Sequence, residues 1–179
     1  MKIYARANNI WAVAEAAGTT QDIELYKPTV EKWLTWLHSE HSMIRCFALR
    51  IEMSVPYYVH VHLVRHKIGC EWFVRSQRPT AINPVRYDRN KAPQSVPVRL
   101  MLDTNPQALI NISQVRLCEK ADEVTRGVWY DLVETIANHK DPYVSAIARV
   151  MKPRCEYRGG VCHELKPCGQ YPHYKEVLC

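Results

Sequence analysis

Between Phe47 and Met53 apolar and polar side chains alternate (FALRIEM), and a period of two predicts a strand with one buried face. VRLML, from Val98 to Leu102, predicts a second strand, and KIYARA, beginning at Lys2, a short third one. Elsewhere the apolar positions follow helical spacing. NIWAVAEAA predicts a helix from Asn9, closed by Gly18. Pro28 opens another, with Val30, Trp33, Leu34 and Leu37 on one face. Pro56 starts a third, YYVHVHLVRH, which carries Arg65 and His66 at its C-terminal end. A helical pattern then runs from Asn105 to about His139 with a break near Leu117. Pro142 begins a last helix that ends before Pro153.

The stretch from Pro79 to Pro97 is polar and holds four prolines, which predicts a loop. From Arg154 to Cys179 periodicity is lost, in a segment with three Gly, two Pro and four Cys. The expected fold is α+β: one domain over residues 1–153, then an irregular Cys-rich tail over 154–179. With 179 residues, 47% of them hydrophobic, the chain can bury a full core. No apolar run approaches the roughly 20 residues of a membrane-spanning helix, so no membrane association is expected. MKIYARANN has neither an apolar h-region nor a cleavage site, and a cytoplasmic location is expected. The seven Cys are then expected as thiols or metal ligands. A net charge of +6 points to an anionic partner, polymer or nucleotide.

The segment RHKIGCEWFVRSQR concentrates four cations, Arg65, Lys67, Arg75 and Arg78, within fourteen residues. A charge run is ordinarily a solvated loop. Here the cations interleave with Ile68, Trp72, Phe73 and Val74, which implies partial burial. A buried cation needs an anionic partner, and Arg suits bidentate phosphate binding.

The same segment resembles the signature RHRxxSxNExSxR of the flavin-dependent thymidylate synthases. Arg65, His66 and Lys67 stand at its Arg-His-Arg, and Ser76 and Arg78 at its final Ser-x-Arg. Lys67 replaces an Arg, Cys70 sits at the first Ser, the stretch is one residue longer, and Glu71 is shifted from the Glu position. NPQALINISQVR resembles a second family block, with Asn105, Asn111 and Arg116 at functional positions and Gln107 in place of an Arg. His41 and Ser42 lie upstream much as a flavin-contacting His-x-Ser/Thr does. The resemblance covers roughly residues 30 to 150, with the family's long insertion reduced to the Pro-rich loop. It identifies a compact, divergent member.

The resemblance implies an antiparallel sheet flanked by helices, and a homotetramer whose active sites are shared between chains. It also implies FAD, NADPH and methylenetetrahydrofolate, which together methylate dUMP at C5. The cofactor supplies the redox chemistry, so the chain has to bind, orient and polarise. By residue, it implies His41, Ser42, Arg65, His66, Lys67, Asn105 and Asn111 around the flavin. It places His62, Ser76, Gln77, Arg78 and Arg89 on the nucleotide. Arg116 is implied at the pyrimidine O2/N3 edge, where positive charge makes C5 nucleophilic.

His62 and His66, four apart on the expected helix, have metal-ligand spacing but lack the Glu of an H-E-x-x-H motif. His60 is expected in the core or on the surface. In the tail, Cys155, Cys162, Cys168 and His173 form a candidate zinc set, although their spacing matches no standard finger. The alternative is free thiols. Two other functions fit the same residues. One is a different C5 modification, such as hydroxymethylation. The other is a basic nucleic-acid-binding module with a zinc-stabilised tail, disfavoured because Asn105 to Arg116 carries little charge.

Overall fold

The structure is a computed structural model that describes residues 1–6 and 9–177. Its centre is an antiparallel sheet of β1 (Lys2–Ala5), β2 (Leu49–Pro56), β3 (Cys70–Val74) and β4 (Pro97–Thr104), in the order β1-β2-β4-β3. The expected alternation in β2 is real. Leu49, Ile51, Met53 and Val55 are buried, while Arg50 and Ser54 face out. β2 pairs with β4 along its whole length, from Leu49↔Thr104 to Pro56↔Pro97. Prolines close the ladder at the end where amide donors are no longer needed.

Helices cover the buried face. They are α1 (Asn9–Gln21), α2 (Val30–His38), α3 (Tyr57–Leu63), α4 (Pro106–Arg116), α5 (Glu123–Ala137) and α6 (Pro142–Ile147). Side-chain caps set most of their starts: Thr29 for α2, Asn105 for α4, Asp122 for α5 and Asp141 for α6. The core joins Trp33, stacked on Phe47 at 5.2 Å, to the sheet residues and to Trp129. The indole of Trp33 donates to the Tyr143 carbonyl (2.8 Å), tying α2 to α6.

Four points differ from expectation. α1 runs through Gly18 to Gln21; the glycine lets the returning chain come close, since a Cβ there would lie 3.3 Å from the Ile23 carbonyl oxygen. α3 stops at Leu63, so Arg65 and His66 lie in the turn beyond it. The segment at 70–74, to which the sequence assigned no element, is a strand. Finally, Arg65, Lys67, Arg75 and Arg78 are exposed rather than buried, as are Phe73 and Ile68, the latter 88% exposed. β3 is an edge strand, and only Cys70 and, in part, Trp72 turn inward.

Among the described residues, the tail contributes two single-turn helices, α7 (Arg154–Tyr157) and α8 (Tyr174–Val177). The isolated bridge Cys162↔His173 holds it together. Cys179 lies outside the described residues.

Candidate functional site

The expected residues fall into three groups. The first is built where the turn after α3 meets the C-terminal end of α4. Arg116, the last residue of α4, donates from Nε to His66 Nε2 (2.9 Å) and from Nη2 to the His62 carbonyl (2.6 Å). The indole of Trp72 on β3 donates to the His66 carbonyl (2.8 Å), fixing the turn to the sheet edge. Because Nε2 accepts from a guanidinium, His66 has to be neutral there, with any ring proton on Nδ1. Its pKa agrees: burial, then the charges of Arg116 and Arg65, lower it to about 4. Burial and Arg65 also push the Arg116 pKa down. Among the described residues, Arg116 has no carboxylate partner. A half-buried guanidinium held by neutral acceptors keeps its charge available to a ligand.

The second group lies on the exposed side of α4. Gln107 donates to the Glu40 carboxylate and, more weakly, to Asn111 Oδ1 (3.4 Å). Tyr157 of the tail donates to the other Glu40 oxygen (2.9 Å). Glu40 itself takes a left-handed backbone (φ 48°) immediately before His41 and Ser42. This carboxylate therefore links the 40–42 turn, α4 and the tail. The sequence shows no sign of it, because its partners are 67 and 117 residues away.

The third group is nucleotide-sized in reach. Gln77 and Arg89 line one cavity of about 330 Å³ together with Tyr57 and Asn90. Two residues implied for the substrate phosphate thus meet, although the sequence separates them by a loop. Ser76 and Arg78 are exposed beside them, and the Ser76 hydroxyl accepts from the Arg78 amide (3.3 Å). His60 is buried against Tyr57, a core histidine.

Among the implied flavin residues, Lys67 and Asn105 sit together. They line a cavity of about 680 Å³ whose wall also carries Arg6, Arg45, Arg50 and Glu71. Asn105 has a structural task too, since its Oδ1 accepts from the Ala108 amide (3.1 Å). Sequence reasoning missed Arg6, Arg45 and Arg50, because they come from three separated segments. Arg50 is engaged in a two-pronged pair with Asp103 at 2.6 Å, and this pairing lowers the Asp103 pKa. A larger hollow of about 850 Å³ lies between the outer sheet face and the 79–96 loop; of the four cations singled out in the sequence, Arg75 lines it. In the tail, His173 Nε2 lies 3.0 Å from the Glu164 carbonyl oxygen, outside the cavity that the other three zinc candidates line.

The fold, a four-stranded antiparallel sheet with helices on its buried face, is shared with solved structures, two of which show the likeness. One is the UMP/dUMP methylase PolB from Streptomyces cacaoi bound with 5-Br dUMP (TM-score 0.59, 14% identity, covering 86% of this chain and 96% of that one). The other is the flavin-dependent thymidylate synthase ThyX from Helicobacter pylori complexed with FAD and dUMP (TM-score 0.58, 14% identity, covering 75% and 93%). No family model and no curated protein sequence matches the chain, so the likeness is one of fold.

Proposed function

We propose that the protein methylates dUMP at C5, taking the one-carbon unit from methylenetetrahydrofolate and using FAD with NADPH as reductant. The observation that carries this reading is Arg116: half-buried, oriented by two neutral acceptors and unneutralised by any described carboxylate. Support comes from the shared fold with proteins bound to dUMP or its 5-bromo analogue.

The chain's residues fit these ligands. Arg65 and Lys67 offer exposed cations for a pyrophosphate, and Asn111, His41 and Ser42 offer hydrogen-bonding groups. The 680 Å³ cavity at Lys67 and Asn105 is within the size range of small-molecule sites. When bound, the flavin supplies the reducing equivalents. Everything else is positioning and electrostatics. Ser76, Gln77, Arg78 and Arg89 hold the phosphate, and His62 contacts the nucleotide. Arg116 sets positive charge at the O2/N3 edge as the ring becomes nucleophilic at C5. Neutral His66 keeps the guanidinium fork aimed without sharing its charge.

The implied residues do not all line one cavity of the chain. We infer that copies of the chain assemble, as a tetramer, to bring them together. The exposed Ile68, Phe73, Val74 and Ile82 beside the cations supply apolar contact area for that assembly.

The purified protein should be yellow, with flavin absorbance, and should convert dUMP to dTMP. A hydroxymethylated product would keep the flavin and nucleotide but reject methylation. A colourless protein that binds DNA with steep salt dependence would reject the whole reading.

A further inference from the structure

We propose that Cys118, Cys155, Cys162 and Cys168 bind a single zinc ion that clamps the C-terminal tail to the body of the fold. Three of these thiols come from the tail. The fourth, Cys118, follows α4 and belongs to the body. All four line one cavity of about 20 Å³, beside Lys120, Arg154 and His163. A space of that size holds a single water-sized occupant, which fits an ion and no organic ligand.

Three further observations point the same way. Beyond Met151, Cys162 is the one buried residue among those described, and Leu165 is 97% exposed. A segment with so little core needs another source of order, and in small folds that source is a disulfide or a metal. The six described cysteines are all free thiols. A divalent ion with four thiolates carries roughly −2; the cavity wall carries Lys120 and Arg154, and also Glu164 and Glu119, the latter already paired with Arg126. Arg154 Nε is buried and has no partner in the protein. A thiolate shell gives that donor an acceptor.

Zinc binding takes the thiolates and releases their protons to solvent. As placed, no three His, Cys, Asp or Glu side chains among the described residues form a ready cage. Binding therefore draws the four sulfurs inward from the cavity wall. Gly159, Gly160 and Gly169, all at positive φ, give the intervening loops freedom to follow. Cys118 lies two residues beyond Arg116, so the clamp also steadies the end of α4 that carries it.

The test is independent of the flavin reading. Protein purified without chelator should hold about one zinc per chain, and Co²⁺ alone should substitute with strong thiolate charge-transfer absorption. Cys118→Ser should lower metal content and that absorption, whereas His173→Ala should leave both unchanged. Thiol labelling of the unaltered protein provides a check that needs no variant. Cys118, Cys155, Cys162 and Cys168 should be protected together until a chelator is added, while exposed Cys46 labels throughout. A chain that takes up neither ion overturns the proposal. So does a metal-loaded chain in which Cys118 labels as fast as Cys46, or one that loses its metal with His173→Ala and keeps it with Cys118→Ser.

Discussion

At the scale of single residues, Arg116 and His66 act as a pair. The fork of Arg116 is held by His66 Nε2 and the His62 carbonyl, so its charge is aimed before any ligand arrives. If that charge acts mainly on the transition state, Arg116→Ala should lower kcat about 100-fold and weaken dUMP binding only slightly. Lys should not rescue it, because an ammonium cannot make both bonds in one plane. Turnover within a few-fold of the unaltered enzyme would reject the role. Arg78→Ala should instead mainly raise KM, as expected for a grip kept throughout the reaction. His66 adds a pH dependence. Its folded pKa of about 4 lies below the ordinary 6.5, so between those values the unfolded chain binds the extra proton. Stability should therefore fall as pH drops from about 6.5 to about 4 and be unaffected by this group at higher pH. Denaturant midpoints across that range should show the loss, and His66→Gln should flatten it.

At the scale of elements, α4 and α5 meet through a buried polar contact. The Trp129 indole donates to Ser113 Oγ (2.9 Å), which itself donates to the Leu109 carbonyl (2.7 Å). Both residues are fully buried. Ser113→Ala strands the indole N–H and should cost about 1–3 kcal/mol in urea unfolding; an unchanged midpoint would mean that another acceptor reaches it. The element boundaries show what was legible in advance. β2, β4 and the starts of α2, α4 and α6 were readable, because one-sided burial imposes a period and Pro28, Asn105 and Pro142 mark those starts locally. β3 was not readable. As an edge strand it buries little, so Phe73 and Val74 remain exposed and the alternation disappears under the cations. The turn before it depends on Gly69, at φ +71°, where a Cβ would lie 3.0 Å from Asn105 Nδ2 and 3.1 Å from the Ala108 Cβ. Residues near one another along the chain, such as Arg65 and His66, could be nominated from motif spacing. The Arg116–His66 bond, the Glu40 link and the gathering of Cys118 with the tail thiols could not, since each joins segments that only the fold brings together.

At the scale of the whole molecule, the implied site residues do not all line one cavity. Gln77 and Arg89 line one cavity and Lys67 and Asn105 another, while Arg116 and His66 bond at the end of α4. If the site is shared between copies, as proposed above, the phosphate cradle of one copy faces the Arg116 of another. Arg89→Ala and Arg116→Ala should each be nearly inactive as homo-oligomers. Co-expressed with distinct tags and purified as hybrids, the two variants should recover a fraction of the activity. Some interfaces in the hybrid would combine an intact cradle from one chain with an intact Arg116 from the other. Size-exclusion mass and native mass spectrometry would verify that hybrids formed. Hybrids that form and stay inactive would put Arg89 and Arg116 on the same chain's site, and the shared-site arrangement would have to be abandoned.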